Sequence, residues 1–311
     1  MYGKKRRRGM NMSARRQQLS TVLALAVAVL AISSSGPLIA FAAAPALAVA
    51  FWRNGLAFTV LTPISLGPRR PELVHMPRRA WTYCLLAGVA LAAHFALWMP
   101  SVQLGSVATA TALVATQPVW QGLIAAGQGR APSRAGWIGI VLAVAGAVWT
   151  TGIDFGVSPQ AVFADVLAVL GAVAAAVYVA LGEQARTSSS TTTYTWVCYG
   201  TCAVGLLGIC LAAGVPLHGY APTTWLAVLA LVAGAQLLGH SMFSYALHHV
   251  SATAVSVLVL LEVPGAALLA WAWLGQTIRA DRVPGLVLLV AGVAAVVVGG
   301  RSRMPTASVE L

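Results

Sequence analysis

The sequence predicts an all-α membrane protein: ten transmembrane helices arranged as two inverted five-helix repeats. Three observations predict it. Of 311 residues, 59% are hydrophobic and only 8% charged, with mean hydropathy +0.82. A soluble domain carries roughly 25% charged residues, so lipid must be the solvent for most of this chain. Second, the C-terminal half repeats the N-terminal half. His94 and His240 stand 146 positions apart, and at the same offset Pro118 matches Pro264, Gly129 matches Gly275, Gly139 matches Gly285 and Gly146 matches Gly292. Third, the basic residues keep to one side. With the N-terminus inside, the tail (Lys4, Lys5, Arg6, Arg7, Arg8, Arg15, Arg16) shares its side with Arg69, Arg70, Arg78, Arg79, Arg130, Arg134, Arg186, Arg301 and Arg303. Only Arg279 and Arg282 fall opposite, and Arg53 lies within a span. The positive-inside rule then puts both termini in the cytoplasm and requires an even number of spans.

A membrane helix needs about 20 mostly apolar residues. Ten stretches qualify, at about 19–41, 43–66, 80–99, 104–127, 136–152, 161–183, 192–214, 223–247, 251–274 and 283–300. Residues 1–18 form a basic cytoplasmic tail, expected to be disordered and drawn to lipid headgroups, with no nucleic-acid partner. Met10 and Met12 are alternative starts to Met1. Ser13-Ala14-Arg15-Arg16 loosely suggests a twin-arginine signal, but the following apolar run is long and more spans come after it, so the first span is expected to be retained. Ser33-Ser34-Ser35-Gly36-Pro37 should break that span, with Pro37 as the helix breaker. The first repeat covers 19–151, the polar stretch 152–160 links it to the second at 161–300, and 301–311 is a cytoplasmic tail. Five spans per unit is an odd number, so the second copy is inverted in the membrane. Arg186–Thr195 reads as a cytoplasmic loop. The fifth and tenth spans carry Gly139, Gly146, Gly285 and Gly292 at seven-residue spacing, a packing face either within one chain or in a homodimer.

The repeat carries recognisable stretches. Gly239-His240-Ser241-Met242-Phe243-Ser244-Tyr245-Ala246-Leu247 runs on through His248-His249-Val250-Ser251-Ala252-Thr253-Ala254, and Leu261-Glu262-Val263-Pro264-Gly265-Ala266-Ala267-Leu268-Leu269-Ala270 follows. Phe51-Trp52-Arg53 and Ala115-Thr116-Gln117-Pro118-Val119-Trp120 are the first-half marks. In order, spacing and duplication these resemble the ten-helix drug/metabolite transporter superfamily, in its EamA-type branch. The resemblance spans about 19–300 and implies export of small metabolites, amino acids or drugs across the cell membrane. The chain departs from the family pattern where the fourth and ninth spans commonly end in Leu-Gly-Glu. Here those places read Gln128-Gly129-Arg130 and Leu274-Gly275-Gln276, and the usual Glu-Pro order appears as Glu262-Val263-Pro264.

Ionisable groups within lipid are costly and are functional candidates by default. Glu262, near the middle of the ninth span, is the candidate proton carrier; the competing reading is a fixed ion pair with Arg53. Arg53 stays charged, so its fork suits a substrate carboxylate or an internal acid. Gln236, His240, Ser244 and His248 recur every four residues and predict a polar stripe on one face of the eighth span. His240 on that stripe would pass protons, hydrogen-bond substrate, or simply tie two helices together. His94, its repeat mate, has Trp98 four residues further on. Gln117 and Trp120 beside Pro118 are candidates to line the cavity. Pro118 and Pro264 should free the carbonyls of Val114 and Leu260 for ligand or neighbouring hydroxyls. Asp165 and Glu183 lie at span ends, where they should reach water.

Function classes narrow accordingly. No GxxxxGK[ST] motif occurs, so an ion gradient, expected to be protons, must supply the energy. The partners are then a small-molecule substrate, the bilayer and protons. An uncoupled facilitator or channel is the alternative. An intramembrane enzyme needs clustered acids, His or a metal near one membrane face, and here the acids are scattered. Cys84, Cys198, Cys202 and Cys210 show no metal or redox spacing, so no cofactor and no metal are expected.

Overall fold

The computed structural model describes residues 2–104, 107–151, 158–274 and 280–301, and all its elements are helices. The first span is α1 (Tyr2–Ser33) with α2 (Ser35–Phe41), and the second is α3 (Ala46–Leu66). A short α4 (Arg70–His75) leads to the third, α5 (Arg78–Leu104). The fourth is split into α6 (Val107–Val114) and α7 (Gln117–Gly127), and the fifth is α8 (Arg134–Thr151). The sixth and seventh are α9 (Pro159–Ala185) and α10 (Thr191–Ala212). The eighth is α11 (Pro222–Leu231), a π-helical segment (Val232–His240) and α12 (Ser241–Ala246). The ninth is α13 (Ala252–Val259) with α14 (Glu262–Leu274), and the tenth is α15 (Val283–Arg301). Among the described residues, seven of these spans are long and apolar enough to cross a membrane as they stand. The first and fifth have shorter apolar segments, and the fourth is divided.

The packing is two-fold related. The third span packs along the sixth, and their repeat mates, the eighth and first, pack likewise. The seventh lies on the third as the second lies on the eighth. The second with the seventh, and the fifth with the tenth, pair with their own mates. Alanines dominate the buried positions, which lets helix backbones approach closely where no hydrophobic effect pulls them together. The four glycines of the fifth and tenth spans meet within the chain: Gly139 faces Gly292, and Gly146 faces Gly285.

Several boundaries differ from expectation. α1 begins at Tyr2, so the tail expected to be disordered is helical. Lys, Arg, Gln, Ala and Met propagate a helix well, and the apolar segment downstream supplies its costly nucleus. The first span breaks at Ser34 rather than at Pro37. The Ser33 hydroxyl donates to the Val29 carbonyl and that of Ser34 to Ala31, both at 2.7 Å, a back-bonding that bends helices. Pro37 sits in α2, with its side chain outside the described ones. In the expected linker, residues 152–157 lie outside the described residues. Ser158 caps α9 by accepting the Ala161 N–H at 3.1 Å, and Pro159 is its first residue. Residues 275–279 and 302–311 are likewise outside the described part. The loop expected at Arg186–Thr195 ends at Ser190, which caps α10 through the Thr193 N–H. Pro118 opens α7, but Pro264 does not free Leu260: that carbonyl accepts the Val263 N–H at 3.1 Å, an i+3 bond that tightens the turn.

Candidate functional site

Arg53 projects from the second turn of α3 and is only 2% exposed. Its Nε donates to Gln236 Oε1 at 2.7 Å. Gln236 Nε2 donates to Asn54 Oδ1 at 2.9 Å, and Asn54 Nδ2 donates to the Ala50 carbonyl at 2.8 Å. The Asn54 bonds fix which way the Gln236 amide points, and so fix its oxygen on Arg53. The guanidinium lies 5.3 Å from the Phe95 ring centroid, a cation–π contact. Arg53 Nη2 is buried and has no partner among the described residues.

Gln236 reaches Arg53 from the π-helical segment. There the Ser241 N–H bonds the Gln236 carbonyl, five residues back, and the Tyr199 hydroxyl lies 3.3 Å from that same carbonyl and 3.3 Å from the Ser241 hydroxyl. π-turns are rare and concentrate at functional sites. The inserted residue also disrupts the four-residue stripe expected along the eighth span. Gln236 turns inward to Arg53. The Ser244 hydroxyl is spent on the His240 carbonyl of its own helix (2.8 Å). His248 lies beyond α12, exposed, with Nδ1 3.0 Å from the Arg186 carbonyl.

His94 sits beside this group. A carbonyl can only accept, so His94 Nδ1 donates to the Gly171 oxygen (3.0 Å) and Nε2 is left as an acceptor. Its ring stacks on Trp98, 5.8 Å between centroids and 7° apart in plane. His240, half-buried at the end of the π segment, stands about one turn beyond Gln236. Glu262 is the half-buried first residue of α14. It makes no ion pair with Arg53 within 4.0 Å among the described residues. Arg53, Asn54, Gln236, Phe95 and His94 thus form one contiguous group, with His240 on the helix that carries Gln236. Gln117 and Trp120 do not join them. The Gln117 amide donates to Ser256 Oγ at 3.4 Å, where the fourth and ninth spans cross, and Trp120 Nε1 donates to Thr116 Oγ1 at 3.2 Å. The sequence reading missed Asn54, Phe95 and Tyr199. Of these, Asn54 had a signal: a second polar residue next to Arg53 in an apolar run.

The basic end of the bundle is tied across the two units. Glu183 does not simply face water: its side chain is 12% exposed and lies 2.7 Å from Arg130 Nη2. It also accepts the Ala252 N–H at 2.9 Å, joining the ends of the fourth, sixth and ninth spans. Glu72 accepts the Ser190 N–H, and Gln17 meets His249 at 3.1 Å. Arg186, 5% exposed, donates to the Ser244 carbonyl at 3.0 Å.

Repeat-equivalent halves of the broken spans sit in unlike surroundings. In α7, Gln117, Pro118, Gln121 and Gly122 are buried, Gln121 to 1%. Their counterparts in α14 are Val263, Pro264, Ala267 and Leu268. The first three are half-buried, and Leu268 is 55% exposed. These two half-spans are equivalent in sequence register but not in packing.

The model of the EamA-like transporter family matches residues 19–152 and again 162–298. No curated protein sequence matches the chain. A crystal structure of a protein 20% identical in sequence superposes with a TM-score of 0.77, covering 92% of this chain and 99% of its own. That likeness is one of fold.

Proposed function

The chain belongs to the EamA-like transporter family, and from that premise we propose that it is a proton-coupled secondary transporter of the cell membrane, exporting small metabolites, amino acids or drugs by alternating access. Both termini are cytoplasmic in this reading, which puts the tied basic end on the cytoplasmic side. One observation carries it: α7 is buried where the equivalent positions of its repeat mate α14 are half-buried or exposed. Two modules of the same design in two environments can exchange them. Exchange would open the cytoplasmic end and close the outer one, with the Arg53 group between. Glu262, a carboxyl group within the ninth span, is the proton carrier in this reading, since an ionisable group there is costly unless it has a use. Substrate and proton shift the two facing states only by binding them unequally.

The test is flux in proteoliposomes with an imposed pH gradient, using radiolabelled amino acids and the fluorescent cation ethidium. The parent should concentrate at least one of these, and Glu262→Gln should only equilibrate it while eluting as a folded, monodisperse protein. Gradient-driven accumulation that survives in Glu262→Gln removes Glu262 from the mechanism. A parent that equilibrates but never concentrates is a facilitator.

A further inference from the structure

Resting on the transporter reading, we propose that the unpartnered Nη2 of Arg53 is a subsite for the carboxylate of the transported molecule, a small organic monoanion with an apolar body.

The argument begins with charge. A guanidinium stays ionised, and a buried cation is tolerated only where its charge and its donors are met. Gln236 takes Nε but brings no charge. Phe95 covers a ring-facing side. Nη2 remains buried and unpartnered. Glu262 makes no ion pair with Arg53 among the described residues. What Arg53 lacks is therefore an anionic oxygen at Nη2. The geometry is also rigid, because Gln236 is itself clamped by Asn54. A pre-set cation costs a ligand less to engage than a flexible one.

The surroundings narrow the ligand class. One guanidinium balances one negative charge, which fits a carboxylate better than a phosphate dianion. His94 is held with its Nε2 free to accept, and His240 ends the π segment that carries Gln236, so both are placed to hydrogen-bond a polar substituent. Phe95 and the stacked His94–Trp98 pair supply flat apolar walls. The predicted ligand therefore carries one carboxylate and an apolar portion.

Binding to the detergent-solubilised full chain tests this without any need for coupled transport. The probes are phenylacetate and its neutral isostere phenylacetamide, followed by calorimetry and by thermal shift. Phenylacetate should bind the parent, and phenylacetamide should bind about ten- to a hundredfold more weakly, the worth of a hydrogen bond to a charged group. Arg53→Gln should erase the discrimination, and Arg53→Lys, which keeps the charge and loses the fork, should restore part of it. The comparison of the two probes on the parent stands even where Arg53→Gln fails to fold. Equal binding of both probes, no binding of phenylacetate, or full discrimination surviving in a folded Arg53→Gln overturns the proposal. Intact discrimination with no gradient-driven flux would instead sink the transporter reading and leave the subsite standing.

Discussion

A single methyl group placed between the fifth and tenth spans tests the two-fold packing. A Cβ built on Gly146 would lie 2.3 Å from Leu289 N, 2.6 Å from the Gly285 oxygen and 2.7 Å from Leu289 Cα. One on Gly292 would lie 2.3 Å from Ala143 N, 2.6 Å from the Gly139 oxygen and 2.8 Å from Ala143 Cα. All six neighbours are backbone and cannot swing away. Non-bonded carbons rest about 3.5–4.0 Å apart, so the helices must part by about 1 Å. Overpacking of that kind costs about 1–3 kcal/mol. Alanine returns about 1 kcal/mol in helix propensity, so the net loss is about 0–2 kcal/mol. Because Gly146 and Gly292 are repeat mates, the two losses should be equal. Gly208 in α10 has nothing within 4 Å of its would-be Cβ, so Gly208→Ala keeps only the propensity gain. The assay is thermal unfolding in mild detergent, followed by loss of the monodisperse chromatographic peak. Gly146→Ala and Gly292→Ala should melt lower by the same margin, and the double variant by less than twice that, since the first methyl already parts the helices. A Gly146→Ala variant that melts as high as Gly208→Ala, or a deficit in only one of the pair, would refute the close two-fold crossing.

Two further outcomes follow from the hydrogen bonds. Gln236→Leu keeps the volume but leaves Arg53 Nε and Asn54 Oδ1 without their partners, and should destabilise by about 1–3 kcal/mol or more in the same melt; a parent-like melt would mean the chain does not need the clamp. Glu72, outside the spans, is pushed up by partial burial. The Ser190 N–H and hydroxyl, the Thr193 hydroxyl and Arg69 outweigh that and hold it below the ordinary carboxylate value. A lowered folded value contributes stability above the unfolded value, and this is lost as pH falls through the folded one. Glu72→Gln should therefore melt below the parent at neutral pH, with the gap closing in acid; a gap that is constant with pH would contradict the linkage.

Much of the fold was legible because its signals are large. Ten apolar runs, one repeat register and a one-sided charge pattern each point to the same architecture. The central ionisable residues were legible for a related reason: Arg53, His94, His240 and Glu262 are conspicuous in a lipid-soluble sequence. Local geometry was less so. The stripe from Gln236 to His248 assumes 3.6 residues per turn, and nothing in Val232–His240 announces a π-turn. Ser33 and Ser34 bend the first span before Pro37 can. Glu183 looked like a solvent-facing end residue because its partners, Arg130 and the start of α13, are brought to it only by tertiary packing.

The scaffold is duplicated, but its chemistry is not. At the offset that pairs His94 with His240, Gln236 corresponds to Ala90 and Glu262 to Thr116. Arg53 falls opposite Val197 in the register set by Trp52 and Trp196. Only the histidines are present in both copies. The first unit therefore supplies the cation, Asn54 and the Phe95 face, while the second supplies Gln236, Tyr199 and the acid. Neither unit holds a site alone. The Arg53–Gln236 bond crosses the boundary between them, so any rocking of one unit against the other acts directly on the group that holds the guanidinium. An asymmetric site inside a symmetric frame has a mechanical consequence. In the proposed mechanism the frame would supply two near-equivalent facing states, and the unequal residues would make ligand and proton prefer one over the other, the differential binding that a carrier requires.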